Sequence, residues 1–272
     1  MSEQALDEVE QNRMSIIEHL HELRKRLVVC LWASGICMVV AFFFAENIFD
    51  FLVEPMNLAL EEQAARLQTA DGTSPALATM AITDPMEGII TYLKVALLAG
   101  LLVASPVLFY QGWSFVAPGL YKKERRTILP LVAASTTLFL GGAAFGYFVI
   151  FKYGFSFFLS VIDPAETSAV LSINSYLVTA TKLLMAFGFS FQLPVVIFFL
   201  ARLGLLDHTD MIKGFRYAVV GIFCIAAAIT PPDPLTQSLM AGPLILLYIC
   251  SIAIAWGFTT KVRDEADAEE TT

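Results

Sequence analysis

The sequence predicts an all-α, polytopic membrane protein with six transmembrane helices, both termini on the cytoplasmic side and the last two spans short. Three observations predict it. Of 272 residues, 57% are hydrophobic and only 15% charged, with a mean hydropathy of +0.69; a soluble domain carries about a quarter charged residues. Six apolar segments alternate with polar ones. Lys and Arg gather in one alternate set of the polar segments.

Taken in order, residues 1–13 hold Glu3, Asp7, Glu8 and Glu10 and predict a flexible acidic tail. Ser15 and Glu18 then have capping-box spacing, and Ile16, Leu20, Leu23 and Leu27 recur at helical intervals. Residues 14–26 therefore predict an amphipathic helix lying on the cytoplasmic membrane surface. The six-helix membrane domain covers 27–258. A crossing needs roughly 20 apolar residues for a hydrocarbon core of about 30 Å, and 27–45, 89–113, 128–151 and 176–200 supply them. Asp84-Pro85-Met86-Glu87 opens the second span, with Asp84 as cap, Pro85 in the first turn and Glu87 reaching back.

The fifth apolar stretch, 217–230, stops at Pro231-Pro232. Its 14 residues give roughly 21 Å at about 1.5 Å each, which is short of the core. Either the bilayer thins there or 217–258 forms a hairpin that crosses partway. Asp233-Pro234 repeats the cap-then-proline pattern before 235–258, which Gly242-Pro243 interrupts. Residues 259–272, with Asp264, Glu265, Asp267, Glu269 and Glu270, predict a disordered acidic tail. No internal repeat is evident, which weakens an inverted-repeat transporter.

Of 17 Lys and Arg, 13 lie in the first tail, the 114–126 loop, the 201–216 loop and the last tail; the others are Arg66, Lys94, Lys152 and Lys182. Cytoplasmic loops carry the basic excess, so both termini are expected inside. About 26 polar residues precede the first apolar run without a cleavage site, so an uncleaved anchor is expected. With no transit peptide, the expected location is the inner (plasma) membrane of a prokaryote. Cys30, Cys37, Cys224 and Cys250 all fall in apolar runs as small hydrophobes.

Enzyme signatures are missing: no phosphate loop, no GxSxG elbow, no intramembrane aspartate pair. No cofactor is expected. His19 and His21 lack HExxH spacing and a nearby Cys, so no metal is expected and interfacial histidines are the simpler reading. Lys94 and Lys182 sit toward the outer ends of their spans and can snorkel.

Two acids stand among bases. Glu22 neighbours Arg24, Lys25 and Arg26, and Glu124 sits within Lys122, Lys123, Arg125 and Arg126. Either they balance local charge, which is worth little at a surface, or they capture a cationic partner, since carboxylates grip guanidinium bidentately. Gln192 lies mid-span beside Pro194, where a polar group is costly; an interhelical hydrogen bond and a place on a polar translocation surface both fit. Thr230, Asp233 and Gln237 form a polar cluster at the outer tip of the last hairpin.

EHLHELRKRL at 18–27, EGIITYLKVALLAGLLVASPVLFYQGWSFVAPGLYKKERR at 87–126, FGFSFQLPVV at 187–196 and TPPDPLTQ at 230–237 together resemble TatC, the polytopic subunit of the twin-arginine protein translocase. The resemblance implies a core receptor that binds twin-arginine signal peptides at its cytoplasmic face for export of folded proteins driven by the proton-motive force. It implies the single-span subunits TatA and TatB as partners, self-association in a larger complex and contact with membrane lipids, with no nucleic acid. It carries a signal-peptide site onto Glu22, Arg24, Phe115 and Glu124, and partner contacts onto Pro55 and the tip with Thr230, Asp233 and Gln237. Many relatives carry a mid-span glutamate where this chain has Gln192, which cannot titrate near neutral pH. The alternative is a small-solute secondary transporter, which calls for charged or unwound centres at mid-membrane.

Overall fold

The computed structural model describes residues 16–71, 79–81, 86–116, 128–161, 170–229 and 234–270. It is almost wholly helical. Six helical stretches are long and apolar enough to cross a membrane: His19–Phe42, Glu87–Val116, Ile128–Phe157, Ile173–Arg202, His208–Ile229 and Gln237–Gly257. Two three-residue strands, β1 (Thr79–Ala81) and β2 (Val170–Ser172), pair in parallel.

Helix α1 runs unbroken from Ile16 to Phe42, so the expected surface helix (14–26) and the first span (27–45) are one element. No Pro interrupts it, and the exposed leucines Leu20, Leu23 and Leu27 merely begin its apolar face. After a turn at Phe43-Phe44, α2 (Ala45–Asp71) is a second long helix in place of the expected polar loop. Its LALEEQAARLQ stretch is made of strong helix formers. Helix α3 is Glu87–Val116. Asp84 and Pro85, its expected start, lie outside the described residues, and Glu87 does more than reach back. Its buried Oε1 accepts from Ser172 Oγ and from the Asn174 backbone N–H, both at 2.9 Å, so it caps a different helix.

The third span is α4 (Ile128–Phe145), a π-helical turn (Gly146–Phe151) and α5 (Lys152–Val161). The fourth is α6 (Ile173–Ser190) and α7 (Leu193–Arg202), parted by a turn at Phe191-Gln192. The expected bend at Pro194 is there, because proline has no N–H for the Ser190 carbonyl. The two short last spans give way to longer helices. α8 runs from His208 to Ile229, 22 residues or about 33 Å, because the polar turn before Tyr217 is helical too. α9, Pro234–Glu270, continues through Pro243 and through most of the acidic tail expected to be disordered. Lys261 and Arg263 stand four residues before Glu265 and Asp267, a spacing that supports a helix. At the entry to α8, Asp207 accepts from the Thr209 hydroxyl at 2.9 Å. That bond, with His208 alongside, holds its carboxyl below the usual carboxylate range.

The main core joins α2, α3, the third span, α6 and α9 around Phe151, Phe187, Leu177 and Met240, each nearly sealed from solvent. Two glycines set how closely helices approach. A Cβ on Gly100 would come within 2.7 Å of the Met38 backbone, and one on Gly142 within 2.6 Å of the Phe187 carbonyl. The first is the seam of α1 on α3, and it positions the site described next. The second lies in the Gly-Ala run 141–144, where Gly141 by contrast has nothing near it.

Candidate functional site

At the end of the bundle where α3 finishes, α1 and α3 bring two stripes of side chains face to face. His19, Glu22 and Arg26 recur on one face of α1, and Gln111 and Phe115 lie one turn apart on α3. The His19 and Phe115 rings stack at 4.4 Å between centroids. Arg26 donates through Nε (3.1 Å) and Nη2 to Glu22 Oε1, and through Nη1 to Gln111 Oε1 at 3.3 Å.

Of these groups Glu22, Arg26 and Gln111, with Lys25 and Val29, line an open cavity of about 270 Å³. Glu22 has two different oxygens. One is held by Arg26; the other is buried and accepts no hydrogen bond from any described residue. A carboxylate with a spare, desolvated oxygen and a roomy mouth is equipped to take another cationic donor.

The structure thus brings Glu22 and Phe115 to one place. Arg24 is exposed on another side of α1. Glu124 lies outside the described residues; the last described residue of α3, Val116, precedes it by eight positions. Sequence reasoning misses His19, Arg26 and Gln111 as members of the cluster. The four-residue spacing of Glu22 and Arg26 is a readable signal; His19 suggests only a metal ligand or an interfacial group, and stacking on Phe115 is neither.

Gln192 stands at the N-terminal end of α7 without a side-chain capping bond and donates Nε2 to the Ser135 carbonyl at 3.0 Å. Ser135 Oγ in turn accepts from the Trp113 indole at 2.8 Å, so the amide ties the fourth span to α4 and α4 to α3. Of the tip residues, Thr230 and Asp233 lie outside the described residues. Gln237 donates Nε2 to the Phe223 carbonyl at 2.8 Å, which closes the α8–α9 hairpin. Pro55 sits inside α2. Having no N–H, it leaves the Phe51 carbonyl unused, and that oxygen accepts from Tyr147 Oη at 2.5 Å. Tyr176 Oη donates to the next carbonyl, Leu52, at 2.6 Å. Among the described residues no cluster of His, Cys, Asp and Glu could hold a metal ion.

Comparison with known proteins gives one consistent result. The family model described as Sec-independent protein translocase protein (TatC) matches residues 18–243. A TatC protein of Desulforapulum autotrophicum is 44% identical over 262 residues, covering 96% of this chain and 92% of the relative. TatCy of Bacillus subtilis is 33% identical and covers 95% of each chain. A crystal structure of a twin-arginine translocase receptor, TatC, superimposes with a TM-score of 0.75 at 34% identity, covering 88% of this chain and 98% of that one.

Proposed function

The chain belongs to the TatC family of Sec-independent protein translocase proteins, and on that footing we propose that the Glu22–Phe115 end of its bundle receives the paired arginines of an export signal peptide. It is a multi-pass membrane component of a protein translocase, not an enzyme. The small-solute transporter finds no support among its relatives. One observation carries the binding-site reading: Glu22 holds a buried oxygen without a donor, at the mouth of a cavity shared with α3.

A twin-arginine segment offers two forked donors. One fork meets the free oxygen of Glu22; Glu124, eight positions on from Val116 in the sequence, receives the other. Phe115 lends its ring face to a guanidinium or to the apolar residues that follow the arginines. Arg24 and the basic cluster at 122–126 keep this end on the cytoplasmic side. In this reading both termini are cytoplasmic, the membrane is the prokaryotic inner membrane, and single-span TatA and TatB assemble with further copies of the chain. Pro55 and the tip with Thr230, Asp233 and Gln237 serve those partner contacts. The proton-motive force drives export, and Gln192 contributes there by hydrogen bonding, not titration.

The test is photocrosslinking from Lys25, which lines the cavity, and from Lys123, beside Glu124, to a synthetic signal peptide. An Arg-Arg peptide crosslinks at both, and a Lys-Lys peptide about tenfold less, since a charged hydrogen bond contributes about 1.5–3 kcal/mol. Glu22→Ala and Glu124→Ala, each tested with the probes at the neighbouring lysines, weaken binding while leaving membrane insertion unchanged. Undiminished binding of the Arg-Arg peptide to the double variant overturns the assignment.

A further inference from the structure

We propose that the groove between α3 and α6, in the membrane half opposite the Glu22 cavity, holds one anionic phospholipid. Its phosphate sits between Lys94 and Lys182, and an acyl chain follows the groove. The groove encloses about 250 Å³, and Leu97, Leu101, Val178 and Met185 line it together with the two lysines; no acid does. Lys94 is seven residues into α3 and Lys182 nine residues into α6, so both lie about 10–14 Å from their helix starts. Lys94 and Gln111 are 17 positions apart on α3, about 25 Å along the axis, which separates this groove from the Glu22 cavity.

Among the described residues these charges are not balanced from within. Lys94 Nζ donates to the neutral Asn174 Oδ1 at 2.6 Å. Asn174 is the second residue of α6, so the Lys94 head is drawn up to the helix end while its stem stays along the groove. The nearby acid is Glu87, buried, with Oε1 already accepting from Ser172 and the Asn174 N–H. Lys182 is exposed and has no ion pair or hydrogen bond to any described residue. Among the described residues, two cations thus face one committed acid. An ammonium left unpaired at this depth is costly, and intramembrane charges pair with something.

An anionic phospholipid answers both halves of the site. A phosphate diester offers two oxygens to two point-charge donors, the chemistry for which lysine suffices without arginine's fork. Apart from Thr181 and the two lysines the groove wall is apolar, which suits an acyl chain, while the paired cations favour a lipid with net negative charge over a zwitterionic one. An acidic side chain from a neighbouring single-span helix would satisfy the charge and leave the groove unfilled, so the lipid is favoured.

Native mass spectrometry of the full chain released from nanodiscs of equal phosphatidylglycerol and phosphatidylcholine tests this. The wild type retains one phosphatidylglycerol in preference to phosphatidylcholine. Lys94→Leu with Lys182→Leu lowers that occupancy at least fivefold. Met185→Trp, which fills the groove and keeps both cations, does the same; it guards against a fold effect of the lysine changes. Soluble glycerol 3-phosphate does not displace the bound lipid, which separates a lipid site from a bare phosphate site. Equal retention of the two lipids, or unchanged phosphatidylglycerol in both variants, overturns the proposal. So does a protein–protein adduct lost in the lysine variant while lipid adducts persist.

Discussion

At the scale of single residues, the pairing of Glu22 with Arg26 governs the site. Arg26 is itself a guanidinium, and it already sits on the carboxylate that an incoming arginine would use. The pair is mostly buried, 21% exposed for Arg26 and 23% for Glu22, so breaking it costs more than the about 0.3–0.5 kcal/mol of an exposed pair four residues apart on a helix. Its larger effect is competition. Arg26→Gln should lower stability by about 1–3 kcal/mol, because the Glu22 carboxylate loses its donor, and raise affinity for an Arg-Arg peptide about threefold or more, read by thermal unfolding and fluorescence anisotropy in detergent. Weaker binding would instead make Arg26 part of the receptor surface. Glu22 is legible in the sequence because an acid among bases is chemically conspicuous. His19 and Gln111 are not, since their roles exist only across the α1–α3 seam that Gly100 permits.

At the scale of elements, Pro55, the π-turn and two tyrosines form one device. The π-turn at Gly146–Phe151 carries Tyr147, which stacks on Phe51 at 4.3 Å and hydrogen-bonds the Phe51 carbonyl. That carbonyl is free because Pro55 cannot donate to it. Pro55 is visible in the sequence, but the donor that meets its orphan lies 96 positions away, beyond any local pattern. The two changes should therefore be coupled. Tyr147→Phe alone strands a buried acceptor, at about 1–3 kcal/mol. In a Pro55→Ala background the backbone N–H gained at that position can take the carbonyl, and the same tyrosine change should cost at least about 0.5 kcal/mol less. A double-mutant cycle by thermal unfolding in detergent measures the difference. Additive losses would show that Tyr147 acts through ring packing alone.

At the scale of the whole molecule, hydropathy makes all six crossings readable, because a bilayer core imposes a length and a composition on every span. Helix ends are less readable. Apolar runs report where lipid touches, whereas helices continue as long as each residue tolerates the backbone, as α8 and α9 do on their polar sides. Orientation rests on the bias of Lys and Arg and decides whether the Glu22 cavity can meet an export signal at all. It yields a direct prediction. With Cys30, Cys37, Cys224 and Cys250 replaced, single cysteines at Asn12 and Asp210 should resist a membrane-impermeant maleimide added to intact cells, and those at Ser74 and Glu166 should react. Permeabilised cells should label all four. The reverse pattern would put Glu22 and the basic loops on the outer side, where no signal peptide arrives, and the receptor reading would fall with the topology.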